Sequence, residues 1–345
     1  MTYSITIVPH SLGTPDGFLF KTDKSKIVKY LTKDIQTPTF PPDGETLYVE
    51  DGDALMYTLS DIPSNFRLIA IKVLDVLQKK SNVVFSTDMH FPQSVKSSER
   101  VRRGCSKKLL LTGINTRKPP DFRDFLTNGE NKLQLFSIIK SVWTSNEVAS
   151  RLLNKVRIFI HEGIAFEISS SDGKSVSSEE LVELNSNQEE TDYRQILYLF
   201  YAKRKGFKYT VVRTSDTDPL FIFLYYASQL HPLIIYLDTG TGKHRRLINV
   251  SELADDLGAS FCQTLLGFYI YTGEDANSAF RGKGKVLPLK KLMKTAKHQD
   301  TFKQLGNNWD ISDDLINRLE EFVCLIYGFP RTKNVNEVRS AMLKS

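Results

Sequence analysis

Acidic residues recur directly after short apolar runs along this chain. Asp51 follows Leu47-Tyr48-Val49-Glu50, Asp88 comes shortly after Val83-Val84-Phe85, and Asp216 and Asp218 follow Tyr209-Thr210-Val211-Val212. Glu189, Glu190 and Asp192 open a segment with apolar residues at helical spacing. If the apolar runs are strands of one parallel sheet, their carboxyl ends share a rim, and acids far apart in sequence converge there. Each acid alone reads more readily as a turn former or a helix cap. Together they repel one another unless cations neutralise them. Oxygen ligands without His or Cys suit Mg²⁺ or Mn²⁺ rather than zinc. Two such ions side by side can activate a water and stabilise the leaving oxygen in phosphodiester hydrolysis.

The elements that must position these acids alternate in type. Leu47 to Val49 reads as a buried strand that breaks at Asp51-Gly52, and a helix is expected from Phe66 to Lys80. A second strand ends just before Asp88, a helix lies around Leu133 to Val142, and a strand covers Val156 to Ile160. The Ser-rich stretch from Ser169 to Asn187 reads as a loop. From Gln188 to Gly206 the order is acids, apolar residues at helical spacing, Lys and Arg, then Gly, which marks a helix. A strand then runs into Ser215-Asp216-Thr217-Asp218, a helix ends near Leu230, and a further strand ends at Asp238. This alternation predicts an α/β fold with a parallel sheet, and from Ser251 onward the pattern is helical. Residues 1–45 lack helical periodicity and end in the turn-rich Gln36 to Glu45, so they read as an extension. The expected organisation is an extension over 1–45, a sheet-bearing core over 46–250 and a helical region over 251–345.

Composition excludes several classes. With 345 residues, 41% hydrophobic and 25% charged, the chain can bury a core and is neither disordered nor fibrous. It has no 18-residue apolar run and no basic-then-apolar leader, so no membrane span or secretion is expected. Cys105, Cys262 and Cys324 form no CxxC pair, which speaks against zinc and against a disulfide framework, and points to a reducing compartment. The net charge of +6 is unevenly placed. Residues 92–118 and 281–303 together carry +14, so the remainder sums to −8. Such segregation suits a protein that grips a polyanion at defined places, although solvated surface stretches give the same count.

Several motifs combine into a resemblance. Asp51-Gly52, then Asp88 with Pro92 and Ser94-Val95-Lys96, Glu99-Arg100-Val101-Arg102-Arg103-Gly104, QEETDYR at 188–194, SDTD at 215–218 and TGEDANSAFRGKGK at 272–285 follow in order. From about Leu47 to Arg339 the chain resembles the flap-endonuclease-like branch of the PIN-like nucleases, within it a poorly characterised, mobile-element-like animal lineage. The resemblance implies a central, mostly parallel sheet flanked by helices, a helical arch insertion at 92–118 and a C-terminal helical DNA-binding region with a helix-two-turn-helix. It implies that Asp51, Asp88, Glu190, Asp192, Asp216, Asp218 and Asp275 hold two Mg²⁺ or Mn²⁺ ions, with Asp53 and Glu189 as outer partners. By the same resemblance Lys96, Arg100 and Arg103 steady the scissile phosphate, while Lys107, Lys108, Gly282, Lys283, Gly284 and Lys285 contact nucleic acid. Three features depart from the family: the extension replaces a Met-Gly start, the first two acids are closer together, and the stretch from Asp88 to Glu190 is longer.

Other motifs carry less. Asp238-Thr239-Gly240 is the aspartic-protease tetrad's core, yet no second copy exists and helices flank it, so a strand leading into a turn is the better reading. The following Gly-Lys lacks the Ser or Thr of a P-loop. The six histidines show no ligand spacing, Trp143 and Trp309 are expected to pack internally, and Tyr57 suits core packing more than base stacking. The expected activity is divalent-metal-dependent endo- or exonucleolytic cleavage of flap, nicked or branched DNA by an intracellular, nuclear protein. The alternatives are a ribonuclease on the same fold and a non-cutting DNA-binding accessory.

Overall fold

The computed structural model describes residues 14, 18–89, 106–275 and 277–344. Eight strands are present among them: β1 (Thr46–Asp51), β2 (Asn82–Ser86), β3 (Val156–His161), β4 (Ile164–Ser169), β5 (Ser177–Glu180), β6 (Tyr209–Thr214), β7 (Ile234–Thr239) and β8 (Arg246–Asn249). The helices longer than one turn are α1 (Ser25–Leu31), α2 (Gly52–Thr58), α3 (Phe66–Val76), α4 (Gly129–Trp143), α5 (Thr191–Arg204) and α6 (Asp218–Leu230). They continue with α7 (Val250–Leu257), α8 (Ala259–Tyr271), α9 (Val286–Leu292), α10 (Ala296–Gln304), α11 (Asp313–Tyr327) and α12 (Val335–Lys344). Two compact units result. One comprises Thr37–Pro219 with Leu230–Asn249; the other comprises Met1–Gln36, Leu220–Gln229 and Val250–Ser345, as far as these are described.

The first unit is built on one sheet in the order β5-β4-β3-β2-β1-β6-β7-β8. Strands β3, β2, β1, β6 and β7 are parallel, and antiparallel strands extend both edges. The strand order reverses beside β1, where β2 and β6 lie on either side of it. In open α/β sheets such a reversal opens a crevice beyond the strands' carboxyl ends. Registers place Asp51 opposite Ser86 and Glu50 opposite Arg213, so β1, β2 and β6 end at nearly one level. Their Val and Leu are buried because helices cover the sheet. Phe85 centres that packing, with ring centroids 5.3 Å from both Trp143 and Phe159. The Trp143 indole N–H donates to the Ala70 carbonyl at 2.9 Å, which makes Trp143 a core residue as expected. Gly52 is required at the turn from β1 into α2, since a Cβ there would lie 2.7 Å from the Phe85 ring.

Three strands escape the sequence pattern: β4, β5 and β8. The stretch from Ser169 to Asn187, read as a loop, contains β5, whose four residues are all exposed. An edge strand buried on neither face has no apolar alternation, so only its pairing with β4 reveals it. Strand β8 is four residues long and equally silent.

The second unit is helical. Phe268, Phe302 and Phe322 meet edge to face at its centre, and Phe221 stacks on Tyr269 at 3.9 Å. Helix α1 belongs to this unit; at seven residues, burying only Ile27 and Val28, it is too short to register as periodic. Ser312 caps α11 by accepting from the Leu315 N–H, and Gly328 closes it at φ 98°. No helix among the described residues is long and apolar enough to cross a membrane.

Candidate metal centre

Asp51 is the last residue of β1 and the N-cap of α2, its Oδ1 accepting the Ala54 N–H at 3.0 Å. Asp88 stands two residues past β2, and its Oδ1 accepts the Thr191 N–H at 3.0 Å, so it caps the start of α5. That hydrogen bond brings Glu190 and Asp192 to the ends of β1 and β2, an approach secured by the Met89 N–H donating to the Glu189 carbonyl at 2.8 Å. Thr214 at the end of β6 donates to Asp192 Oδ1 at 3.4 Å. Asp216, two residues further, accepts the Thr217 N–H at 2.6 Å and the Asp218 N–H at 3.4 Å. Carboxylate oxygens of Asp216 and Asp218 lie within 4.8 Å of each other.

Electrostatics place these groups in one another's field. Burial, then the charges of Asp53, Asp88 and Asp192, push Asp51 well above the usual carboxylate range. Burial, then Asp216, Asp88, Asp218 and Glu190, push Asp192 up to about 7. Carboxylates whose hold on a proton is raised by burial and then by one another are a poor arrangement for a structural network. They are a fitting one for a hard divalent cation, which replaces those protons and offsets the repulsion. Asp51, Asp88, Glu190, Asp192, Asp216 and Asp218 are the residues that could hold it, and caps alone do not account for their mutual repulsion. Asp275 belongs to the helical unit, where its carboxylate, 71% exposed, pairs with Lys24 at 3.0 Å and its carbonyl accepts from the Lys21 ammonium at 2.9 Å.

The basic residues divide. Lys96, Arg100 and Arg103 lie outside the described residues. Lys107 and Lys108 stand in the exposed limb Ser106–Leu110, with the Lys108 ammonium 2.5 Å from Glu130. Gly282 and Gly284 take positive φ, 73° and 58°, in an exposed turn where no atom crowds them. Lys283 sits over the Tyr327 ring at 4.5 Å. Lys285 corrects its sequence expectation: it is buried, and its ammonium donates to the Tyr269 carbonyl at 2.5 Å and to Thr272 Oγ1 at 3.0 Å. It satisfies the C-terminal end of α8 and does not face a phosphate.

The remaining motifs are placed as well. Asp238 is buried, with Arg245 donating to both of its oxygens, at 2.9 and 2.6 Å, and Arg213 donating to its carbonyl at 3.0 Å. A carboxylate so clamped ties β7 to β8 and is no protease nucleophile activator. Trp309 departs from the expected internal packing, being wholly exposed in the loop between α10 and α11. Tyr57 is partly exposed, with its hydroxyl donating to the Leu126 carbonyl at 2.9 Å. Sequence reasoning missed Lys132, whose ammonium lies 2.6 Å from Asp53 Oδ1. A lysine on an amphipathic helix carries no signal of such a partner, 79 residues away.

No family model matches the chain, and no curated protein matches it. Among solved structures, flap endonuclease-1 from Methanococcus jannaschii is similar over 82% of this chain and 85% of that chain, at 15% identity and a TM-score of 0.35.

Proposed function

We propose that this chain is a divalent-metal-dependent nuclease that hydrolyses phosphodiesters near single-strand/double-strand junctions in DNA. The observation that carries this reading is the gathering of Asp51, Asp88, Asp216 and Asp218, which stand at or just past the ends of three adjacent strands, with Asp192 of α5, which Thr214 holds beside them. When bound, Mg²⁺ or Mn²⁺ supplies Lewis acidity at the phosphoryl oxygens and lowers the pKa of a water. The chain's own residues do the rest. Asp51 and Asp88 are held by the helix starts they cap, Asp192 by Thr214 and Gln195, and Asp216 by the amides of Thr217 and Asp218. Such fixed carboxylates would hold the cation in place without reorganising, and the cation would meet the charge that develops on the phosphate. Exposed Lys107 and Lys108 and half-buried Lys283, with Lys96, Arg100 and Arg103, supply the positive charge that draws in a polyanion.

The test incubates purified protein with labelled flap, nicked and single-stranded DNA and with RNA, in Mg²⁺, Mn²⁺ or EDTA. Cleavage of flap or nicked DNA that EDTA abolishes is the expected result. Equal cleavage of RNA would assign a ribonuclease, and metal-independent binding with no cleavage would assign an accessory protein.

A further inference from the structure

Asp53 and Lys132 form an ion pair at 2.6 Å whose side chains are only 10% and 9% exposed. Asp53 lies two residues past Asp51, and its other oxygen accepts the backbone N–H of Asp88 at 2.8 Å. One carboxylate is thus engaged from two sides, by an ammonium from α4 and by the amide of a neighbouring acid. A buried ion pair adds little stability over apolar side chains of the same volume, so stability does not account for this one. Its location does: Asp53 is among the charges that act on Asp51.

We propose that Lys132 is a positioning residue, which holds Asp53 as the fixed acceptor of the Asp88 amide and so withholds Asp53 from the acids that bind divalent cations. This rests on the metal-dependent reading above. Without an ammonium at this place, the negative charge of Asp53 beside Asp51 would be less offset, and a cation would be drawn toward it. Lys132 keeps that charge balanced and its geometry set. Helix α4 is itself fixed on its other side, because Asn131 and Gln134 accept the N–H groups of Leu109 and Leu111 at 2.8 and 3.0 Å.

The experiment measures Mn²⁺ binding to the DNA-free full chain by electron paramagnetic resonance, together with Mn²⁺-dependent cleavage, for wild type, K132M, D53N and K132M/D53N. K132M should bind Mn²⁺ about tenfold more tightly while cleaving more slowly, because the added charge attracts the ion to the wrong acid. D53N, which leaves the ammonium unbalanced, should bind it about tenfold more weakly. The double variant should return to within about twofold of wild type, since Asn still accepts the Asp88 amide and no charge is left over. Damage to packing would weaken binding and cleavage together and would not be recovered by D53N. If K132M does not fold, D53N and the double variant carry the test alone. Unchanged affinity in the single variants, or failure of the double to recover, overturns the role of Lys132 in a chain that still cleaves DNA. A wild type that binds Mn²⁺ but cleaves nothing overturns the nuclease reading instead, and the affinity pattern still judges Lys132.

Discussion

Asp192 is a proton-holding acid, and on the metal-dependent reading its proton would compete with a bound cation. Its pKa is about 7 in the folded chain against 3.8 for an unperturbed carboxyl, so the folded state binds more protons between these values. Stability from this group is present at low pH and is lost as pH rises through 7. The metal-free protein should therefore melt lower at pH 8 than at pH 5. Mg²⁺ should raise the midpoint on the order of 5 °C more at pH 8 than at pH 5, read by scanning calorimetry; an equal rise at both would show that the cation binds elsewhere. Asp216 and Asp218 allow a second test at the same scale. Asn caps a helix as well as Asp does, so the Asp216→Asn, Asp218→Asn double variant should keep its fold and DNA affinity. Its cleavage rate should fall by at least about 100-fold, because two anionic ligands are gone. Retained metal-dependent cleavage would leave these residues as caps only.

Among the elements, the start of α4 carries more than its length suggests. Asn131 is fully buried, accepts the Leu109 N–H, and donates to the carbonyls of Lys107 and Phe125 at 3.1 and 3.2 Å. It thereby clips the limb bearing Lys107 and Lys108 onto the helix. Asn131→Ala should cost about 2–4 kcal/mol, as it removes three hydrogen bonds whose partners are partly buried. It should also speed amide hydrogen exchange from Leu109 to Leu111. Glu130→Ala removes only the exposed pair with Lys108 and should change stability by less than about 1 kcal/mol. Equal effects of the two would show that the clip does not order the limb. Apolar spacing predicts this helix around Leu133 to Val142, but gives no hint that its polar first turn binds another segment's backbone.

Over the whole molecule, segregated charge is a statement about partners that side-chain placement refines. The count over 281–303 treats eight basic residues alike, yet Lys285 is buried and Lys291 donates to the Leu325 carbonyl at 2.8 Å. These two serve helix ends within their own unit. For Lys107→Ala with Lys108→Ala, the slope of log K for duplex DNA against log salt should fall by about 0.9 for each phosphate that the variant no longer neutralises. Lys285→Met should lower thermal stability and leave that slope unchanged. A lower slope for Lys285→Met would mean that its ammonium reaches the nucleic acid. What the sequence by itself determined is local: strand ends marked by acids, a helix marked by its charge order, and the α/β alternation that sends those ends to one rim. Neighbouring residues decide such features, through backbone geometry and the burial of apolar runs. The exposed edge strand β5, the Asp238 clamp, the inward Lys285 and the Asp53–Lys132 pair were decided only by tertiary structure. Each depends on which polar group finds a partner once burial makes an unpartnered one costly, and chain proximity does not encode that choice.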